Sequence, residues 1–304
     1  MSQLKPAKEI SKKEFLIKAG RFRILVIGRA NAGKTSILQK VCNATEGEEP
    51  EIYNQYGRRI NLDVVGPSVK RGEHDINNEM IFRSNPGFIF HDSFGFEAGS
   101  VDEFREVQGF IQGHANETSL RKRLHVIWYC IPVSDARLVT RAEEIFFSEC
   151  DTKGVPVLVL FTKFDSLDFK AFSAILRENP SMNPNDATHQ APVHAKADFD
   201  RVKANLSIFQ SKYPPKAYLY LYDMHKPNTA CYDLLDQTAG VLDNFVLQAL
   251  FLSTQKSSLA LKTKYTMRTI AQLATGIPVE RMLKLILFMF QEAKEIPFIN
   301  CIHC

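Results

Sequence analysis

No run of eighteen uninterrupted apolar residues occurs in this 304-residue chain, so no membrane-spanning helix is expected. The first twenty residues lack the apolar stretch of a secretory leader. They carry Lys5, Lys8, Lys12, Lys13 and Lys18 instead, so no leader is expected and the cytoplasm is the expected compartment. Cysteine is sparse. Cys42, Cys130, Cys150 and Cys231 are scattered among apparent helices and strands, with Cys301 and Cys304 at the end, a usage that suits a reducing compartment better than a disulfide frame. Internal repeats and low-complexity tracts are absent, which argues against stacked-repeat architectures. Basic residues do not interleave with aromatics, so no nucleic-acid partner is expected. At 45% hydrophobic and 24% charged residues, the composition is that of a globular chain able to bury one large core.

The net charge is only +4, but residues 251–304 hold seven basic and three acidic residues, so the whole surplus falls there. A basic tail on a neutral body can meet an anionic lipid surface, or be a solvated helix face. The same region contains Met282-Leu283-Lys284-Leu285-Ile286-Leu287-Phe288-Met289-Phe290, apolar nearly all round and too short to span a bilayer. Three fates are open to it: docking on the body, pairing with a second copy, or lying at a membrane interface. Cys301-Ile302-His303-Cys304 fits a prenylation or a Cys-x-x-Cys pattern only formally and reads best as a frayed end.

What the chain does have begins at residue 28. Gly28-Arg29-Ala30-Asn31-Ala32-Gly33-Lys34-Thr35 is a complete G-x-x-x-x-G-K-[ST] loop. Phe22-Arg23-Ile24-Leu25-Val26-Ile27 before it reads as a strand, and Ser36 to Val41 after it as a helix start. In that setting the glycines bend the backbone so that N–H groups from Asn31, Ala32, Gly33 and their neighbours converge on a phosphate. Lys34 would reach the β- and γ-phosphates, the Thr35 hydroxyl would sit on Mg²⁺, and the helix would present its positive end, with Ser36 in its first turn.

Two further segments follow in order. Phe88-Ile89-Phe90-His91-Asp92 is an apolar strand ending in Asp92-Ser93-Phe94-Gly95. Asp92 there can hold a Mg²⁺-bound water, and the Gly95 N–H can meet the γ-phosphate. Val155 to Phe161 is a buried-strand pattern ending in Thr162-Lys163-Phe164-Asp165. The Asp165 carboxylate would accept from guanine N1–H and the 2-amino group, with the Lys163 stem along the base. Adenine offers no donors on that edge, and a buried acceptor left unpaired discriminates strongly. Singly, Asp-x-x-Gly is a common sequence and Thr-Lys-Phe-Asp an ordinary strand-end cap. In order, each at the end of an apolar strand, they point to GTP and GDP over ATP.

With these three motifs the chain, over about residues 21–250, resembles P-loop GTPases of the translation-factor-related class. The phosphate loop is similar to those of the Era-like and ribosome-associated GTPases. The threonine of Thr162-Lys163-Phe164-Asp165 and the long stretch before Asp92 are similar to the septins, immune-associated GTPases and chloroplast-import GTPases. The resemblance implies a Mg²⁺-dependent switch in which Lys34, Thr35 and Gly95 serve the phosphoryl transfer. It also implies moving segments over 45–75 and 93–105.

Departures from that pattern matter. Phe96 stands where Ras-like enzymes place a glutamine that orients the attacking water, so slow hydrolysis is expected unless another group positions it. His91 and His74 are candidates, against the ordinary reading of each as structural. In Gly66-Pro67-Ser68-Val69-Lys70-Arg71-Gly72, Ser68 is either the second metal-side hydroxyl or a solvated loop residue. After Ala217 to Tyr222, the turn Asp223-Met224-His225-Lys226-Pro227 stands where a base-contacting loop belongs, with no side chain assignable.

The expected order is a strand at 22–27, a helix at 33–43, a long irregular stretch, strands near 76–82 and at 88–92, a helix at 101–123, a strand at 124–132 and a helix at 137–149. A strand at 155–161 and a helix at 168–178 follow, then a loop, a helix at 196–212, a strand at 217–222 and a helix at 229–250. Asn179 to Pro192 reads as a surface insertion. The alternation predicts an α/β fold, a three-layer, mostly parallel sheet with the ligand at the strands' C-terminal edge. The expected domains are a basic segment 1–20, a G domain 21–250, and a helical extension 251–304 with helices near 254–274 and 278–292. Two functional readings compete. One is a slow guanine-nucleotide switch. The other is a GTP-dependent assembly module, homodimeric through the G domain or the C-terminal helix and peripheral to a membrane. An adenine-nucleotide enzyme is a third.

Overall fold

The computed structural model describes residues 21–60, 75–93, 101–227, 229–243, 245–254 and 259–273. Among these, eight strands form one sheet in the order β3-β2-β4-β5-β1-β6-β7-β8. They are β1 (Phe22–Gly28), β2 (Glu51–Tyr53), β3 (Arg59–Ile60), β4 (Glu79–Ile81), β5 (Phe88–Asp92), β6 (Val126–Pro132), β7 (Val157–Thr162) and β8 (Ala217–Tyr220). From β5 to β8 every neighbour is parallel; β3, β2 and β4 join antiparallel. The fold is α/β with a mixed, mostly parallel sheet.

The described helices are α1 (Lys34–Cys42), α2 (Val101–Ala115), α3 (Arg141–Glu149), α4 (Asp168–Glu178), α5 (Pro184–Lys203), α6 (Tyr232–Val241), α7 (Phe245–Thr254) and α8 (Leu259–Leu273). They cover both faces, which explains the unbroken apolar runs of the central strands. Ile24, Val26, Phe90, Trp128 and Leu158 face one core with Ile37, Leu38 and Val41 of α1 and Leu234 of α6. Leu25, Ile27, Ile127, Tyr129 and Val159 face the other with Phe110 of α2 and Phe146 of α3. Each fully buried aromatic or branched side chain contributes roughly 1.5–3 kcal/mol. Trp128 is a core residue, its indole N–H donating to Thr238 Oγ1 at 3.1 Å. Phe251 of α7 meets Phe22 and Phe88 at ring-centroid distances of 4.8 and 5.8 Å.

Several element expectations are corrected. The stretch after α1 is not wholly irregular: β2 and β3 form a hairpin closed by Asn54, whose carbonyl accepts from Gly57 N–H at 2.8 Å. The helix expected over 101–123 stops at Ala115, and that over 229–250 is two helices, α6 and α7. The largest correction is α5. The proline-rich insertion over 179–192 is mostly helix from Pro184, and the helix expected over 196–212 ends at Lys203. Asn183 caps it by accepting from Asn185 N–H at 2.8 Å, and Pro184 occupies the first turn, where its missing N–H costs nothing. Pro192 is tolerated inside because it lies on the solvent face, while Ala187, Ala191 and Ala195 pack on Ala171 and Ile175 of α4.

Residues 66–74, with Ser68 and His74, residues 94–100, with Gly95 and Phe96, the basic first twenty residues, the helix expected over 278–292 and Cys301 to Cys304 all lie outside the described residues.

Candidate functional site

Parallel pairing aligns the strand ends that carry the motifs. Val26 of β1 pairs with Asp92 of β5, and Gly28 pairs with Cys130 of β6. The loop 29–33 thus leaves the sheet centre at its C-terminal edge. Gly28 has φ +152°, and a Cβ there would lie 2.5 Å from the Cys130 carbonyl oxygen, so only glycine fits. Asn31 and Gly33 are left-handed, at φ 59° and 80°. Gly33 precedes α1, and no side chain caps that helix, which leaves its first N–H groups open to an anion.

Lys34 folds back over this loop. Its ammonium donates to the Gly28 carbonyl at 2.7 Å and the Arg29 carbonyl at 3.3 Å, and lies 3.6 Å from Asp92 Oδ1. Its side chain is only 10% exposed, so a well-shielded positive charge sits on two neutral acceptors beside one carboxylate. Thr35 is exposed and Ser36 half-buried on the same helix turn.

The second motif end lies two strands away. Thr162 closes β7; its hydroxyl is buried and has no hydrogen-bond partner. Lys163 is left-handed at φ 56° and exposed, so the chain turns sharply there. Phe164 anchors the turn. It is fully buried and stacks on Tyr220 at 4.5 Å between ring centroids, with Tyr222 and Phe199 beside it. Asp165 Oδ1 accepts from Asp223 N–H at 2.9 Å, which ties the turn after β8 to this end. Burial, then the Asp165 and Asp223 carboxylates, raise the Asp168 carboxyl above its ordinary range. This end is therefore rich in acceptors.

A cavity of about 770 Å³ opens beside it, lined among others by Ser36, Gln39, Lys40, Gly47, Met224 and His225. His225 joins it to the carboxylates: single ligand atoms of Asp165, Asp223 and His225 lie within 4.8 Å of one another. Lys40 ties the cavity's walls together, donating to the Lys226 and Pro227 carbonyls at 2.6 Å each.

His91, a candidate for positioning a water, is placed otherwise. It is buried, bonded to Arg23 and to the Ile76 carbonyl, and pushed down to about 3 by burial and then by the Arg23 charge. It is a structural residue. Sequence reasoning missed Phe164, Lys40 and the contacts of Arg29. The Phe164 signal was a large aromatic inside a polar motif, and the Arg29 signal was a charged residue inside a loop of small ones.

No protein-family model matches the chain, and no curated protein matches it. Among solved structures it is similar to the crystal structure of a mutated variant of SsGBP, at 14% identity and a TM-score of 0.33. The match covers 72% of this chain and 54% of that one, so this chain spans about half that structure's length.

Proposed function

We propose that this chain binds guanine nucleotides with Mg²⁺ and hydrolyses GTP slowly. The observation that supports this best is the gathering of three motif ends on one sheet edge: the open loop with Lys34, Asp92 beside it, and the acceptor-rich turn at Asp165. In this reading the loop amides and the α1 N-terminus hold the phosphates. Lys34 keeps its two carbonyl partners, turns its remaining ammonium N–H to phosphate oxygens and balances the charge that develops there. Asp165 accepts from the guanine N1–H and 2-amino groups, and Lys163 lies along the base.

Thr35 and Asp92 fit the metal: an exposed hydroxyl on the first turn of α1 and a carboxylate at the end of β5 are oxygen donors of the kind Mg²⁺ takes. Ser68 and Gly95 complete the proposal from the sequence alone. When bound, the ion would supply positive charge that offsets the charge of the phosphates. Phe96 cannot hydrogen-bond a water, which supports a low intrinsic rate. The same residue favours the assembly reading, in which bound GTP fixes a contact between two copies and turnover is incidental.

Equilibrium binding of a fluorescent GDP, competed with GTP and ATP in Mg²⁺, tests the proposal. GTP should compete at least tenfold better than ATP. Equal competition would mean that the turn at Asp165 does not select a base.

A further inference from the structure

Arg29 lies in the phosphate loop, yet its side chain runs away from it, into the body. Its Nε donates to Glu143 Oε1 at 3.2 Å, Nη1 to Asp135 Oδ2 at 2.9 Å and the Arg137 carbonyl at 3.1 Å, and Nη2 to the Leu138 carbonyl at 2.7 Å. Glu143 is fully buried on α3. Its other oxygen accepts from the Thr140 N–H at 2.7 Å and from the Thr140 hydroxyl, closing a capping box. One carboxylate thus starts α3 and neutralises a buried guanidinium. That guanidinium in turn holds the surface loop 134–140, whose residues 134–137 are exposed.

The main chain of Arg29 faces the opposite way. Its carbonyl accepts from the Lys34 ammonium at 3.3 Å and from the Ala32 N–H at 3.2 Å. So one residue carries a rigid contact from each end: the loop 134–140 on its side chain, the phosphate lysine on its carbonyl. A planar guanidinium making four bonds in a fixed fork sets that carbonyl's position in a way no flexible ammonium can.

We infer that Arg29 is a positioning residue for Lys34, and that through it the surface loop 134–140 is coupled to phosphate binding. The inference rests on the nucleotide reading above. A ligand or partner that shifts the loop shifts the Arg29 carbonyl, and phosphate binding in turn steadies the loop.

Arg29→Lys keeps the charge but loses the fork, and Asp135→Ala removes a single bond from the exposed side. Arg29→Lys should weaken GDP at least tenfold while leaving the preference for GDP over ADP within twofold. Asp135→Ala should weaken GDP about threefold with the same preference. In the wild type, hydrogen exchange over 134–140 should slow on adding GDP, and this response should vanish in Arg29→Lys. Unchanged GDP affinity in Arg29→Lys, or loop exchange in the wild type indifferent to GDP, would overturn the coupling. If the wild type instead prefers adenine nucleotides, the guanine reading fails. The same affinity loss and loop response are then sought with ADP, and their absence overturns the inference separately.

Discussion

Gly28 shows how far a single residue governs the candidate site. Two independent constraints meet there, a positive φ and a neighbouring carbonyl 2.5 Å from where a Cβ would stand. Gly33 has only the first, since a Cβ there meets open space. Gly28→Ala should therefore cost the nucleotide-free protein more than Gly33→Ala does, on the order of 1–3 kcal/mol for the strained conformation plus the clash. Urea unfolding of the two variants measures the difference, and equal losses would mean that Cys130 yields. At this scale the candidate site was legible wherever the expected chemistry demands a residue type at a fixed spacing: the structure brings Lys34 beside Asp92 at the sheet edge that Gly28 leaves, and holds Asp165 in the turn after the Val157–Thr162 strand. The role of Arg29 was not legible, because its partner Glu143 lies 114 residues away and no local pattern joins them. Helix α3 begins at Arg141, capped by Thr140 and Glu143, rather than at the expected 137, and no local pattern marks Glu143 as half of an ion pair. His91, for which structural was the ordinary reading, sits on a buried strand face bonded to Arg23 and the Ile76 carbonyl.

Strands and helices differ in how openly they declare themselves. The central strands are continuous apolar runs because both sheet faces are covered, and their ends fell close to where periodicity put them. Helix α4 matches its expected span, 168–178. Helix α5 does not, because proline is the strongest helix-breaking signal a sequence offers, and here it was outweighed. The alanine stripe Ala187-Ala191-Ala195 lets α5 pack closely on α4, and the lost hydrogen bond faces water. Pro192→Ala should accordingly stabilise the protein. An interior proline costs a helix about 3 kcal/mol, offset by roughly 1 kcal/mol from the stiffer unfolded chain, so a gain of about 2 kcal/mol is expected. A rise in the urea midpoint without loss of nucleotide affinity would confirm it. A fall would show that the proline sets a bend the packing requires.

Across the whole molecule, the end of the sheet opposite the loop carries a buried charge that, with two buried histidines, contributes to the pH dependence of stability. Arg23 donates to Glu79 at 2.7 Å, bonds to His91, and donates from its main chain to His125 Nδ1 at 2.8 Å. Burial first, then Arg23, push both His91 and His125 down to about 3. The folded protein therefore holds these rings neutral while the unfolded chain, with an ordinary value near 6.5, takes up protons. Their stabilising contribution is complete above pH 6.5 and is lost as pH falls toward 3. Between pH 7 and 5 each ring should cost about 2 kcal/mol. Urea midpoints should fall over that range, and less steeply in His125→Gln. A flat profile would mean the rings are protonated in the folded state.

In the proposed reading, the Thr162–Asp165 turn selects guanine through the Asp165 carboxylate. Asp165→Asn replaces one acceptor oxygen with a donor, which suits the 2-oxo group of xanthine in place of the 2-amino group of guanine. Competition of fluorescent GDP and XDP on wild type and Asp165→Asn measures this directly. The expected result is strong GDP binding by the wild type and at least a hundredfold shift of the GDP-to-XDP ratio toward XDP in the variant, roughly 3 kcal/mol. A ratio unmoved by the substitution would contradict the claim and leave Asp165 as a strand-end residue held by Asp223.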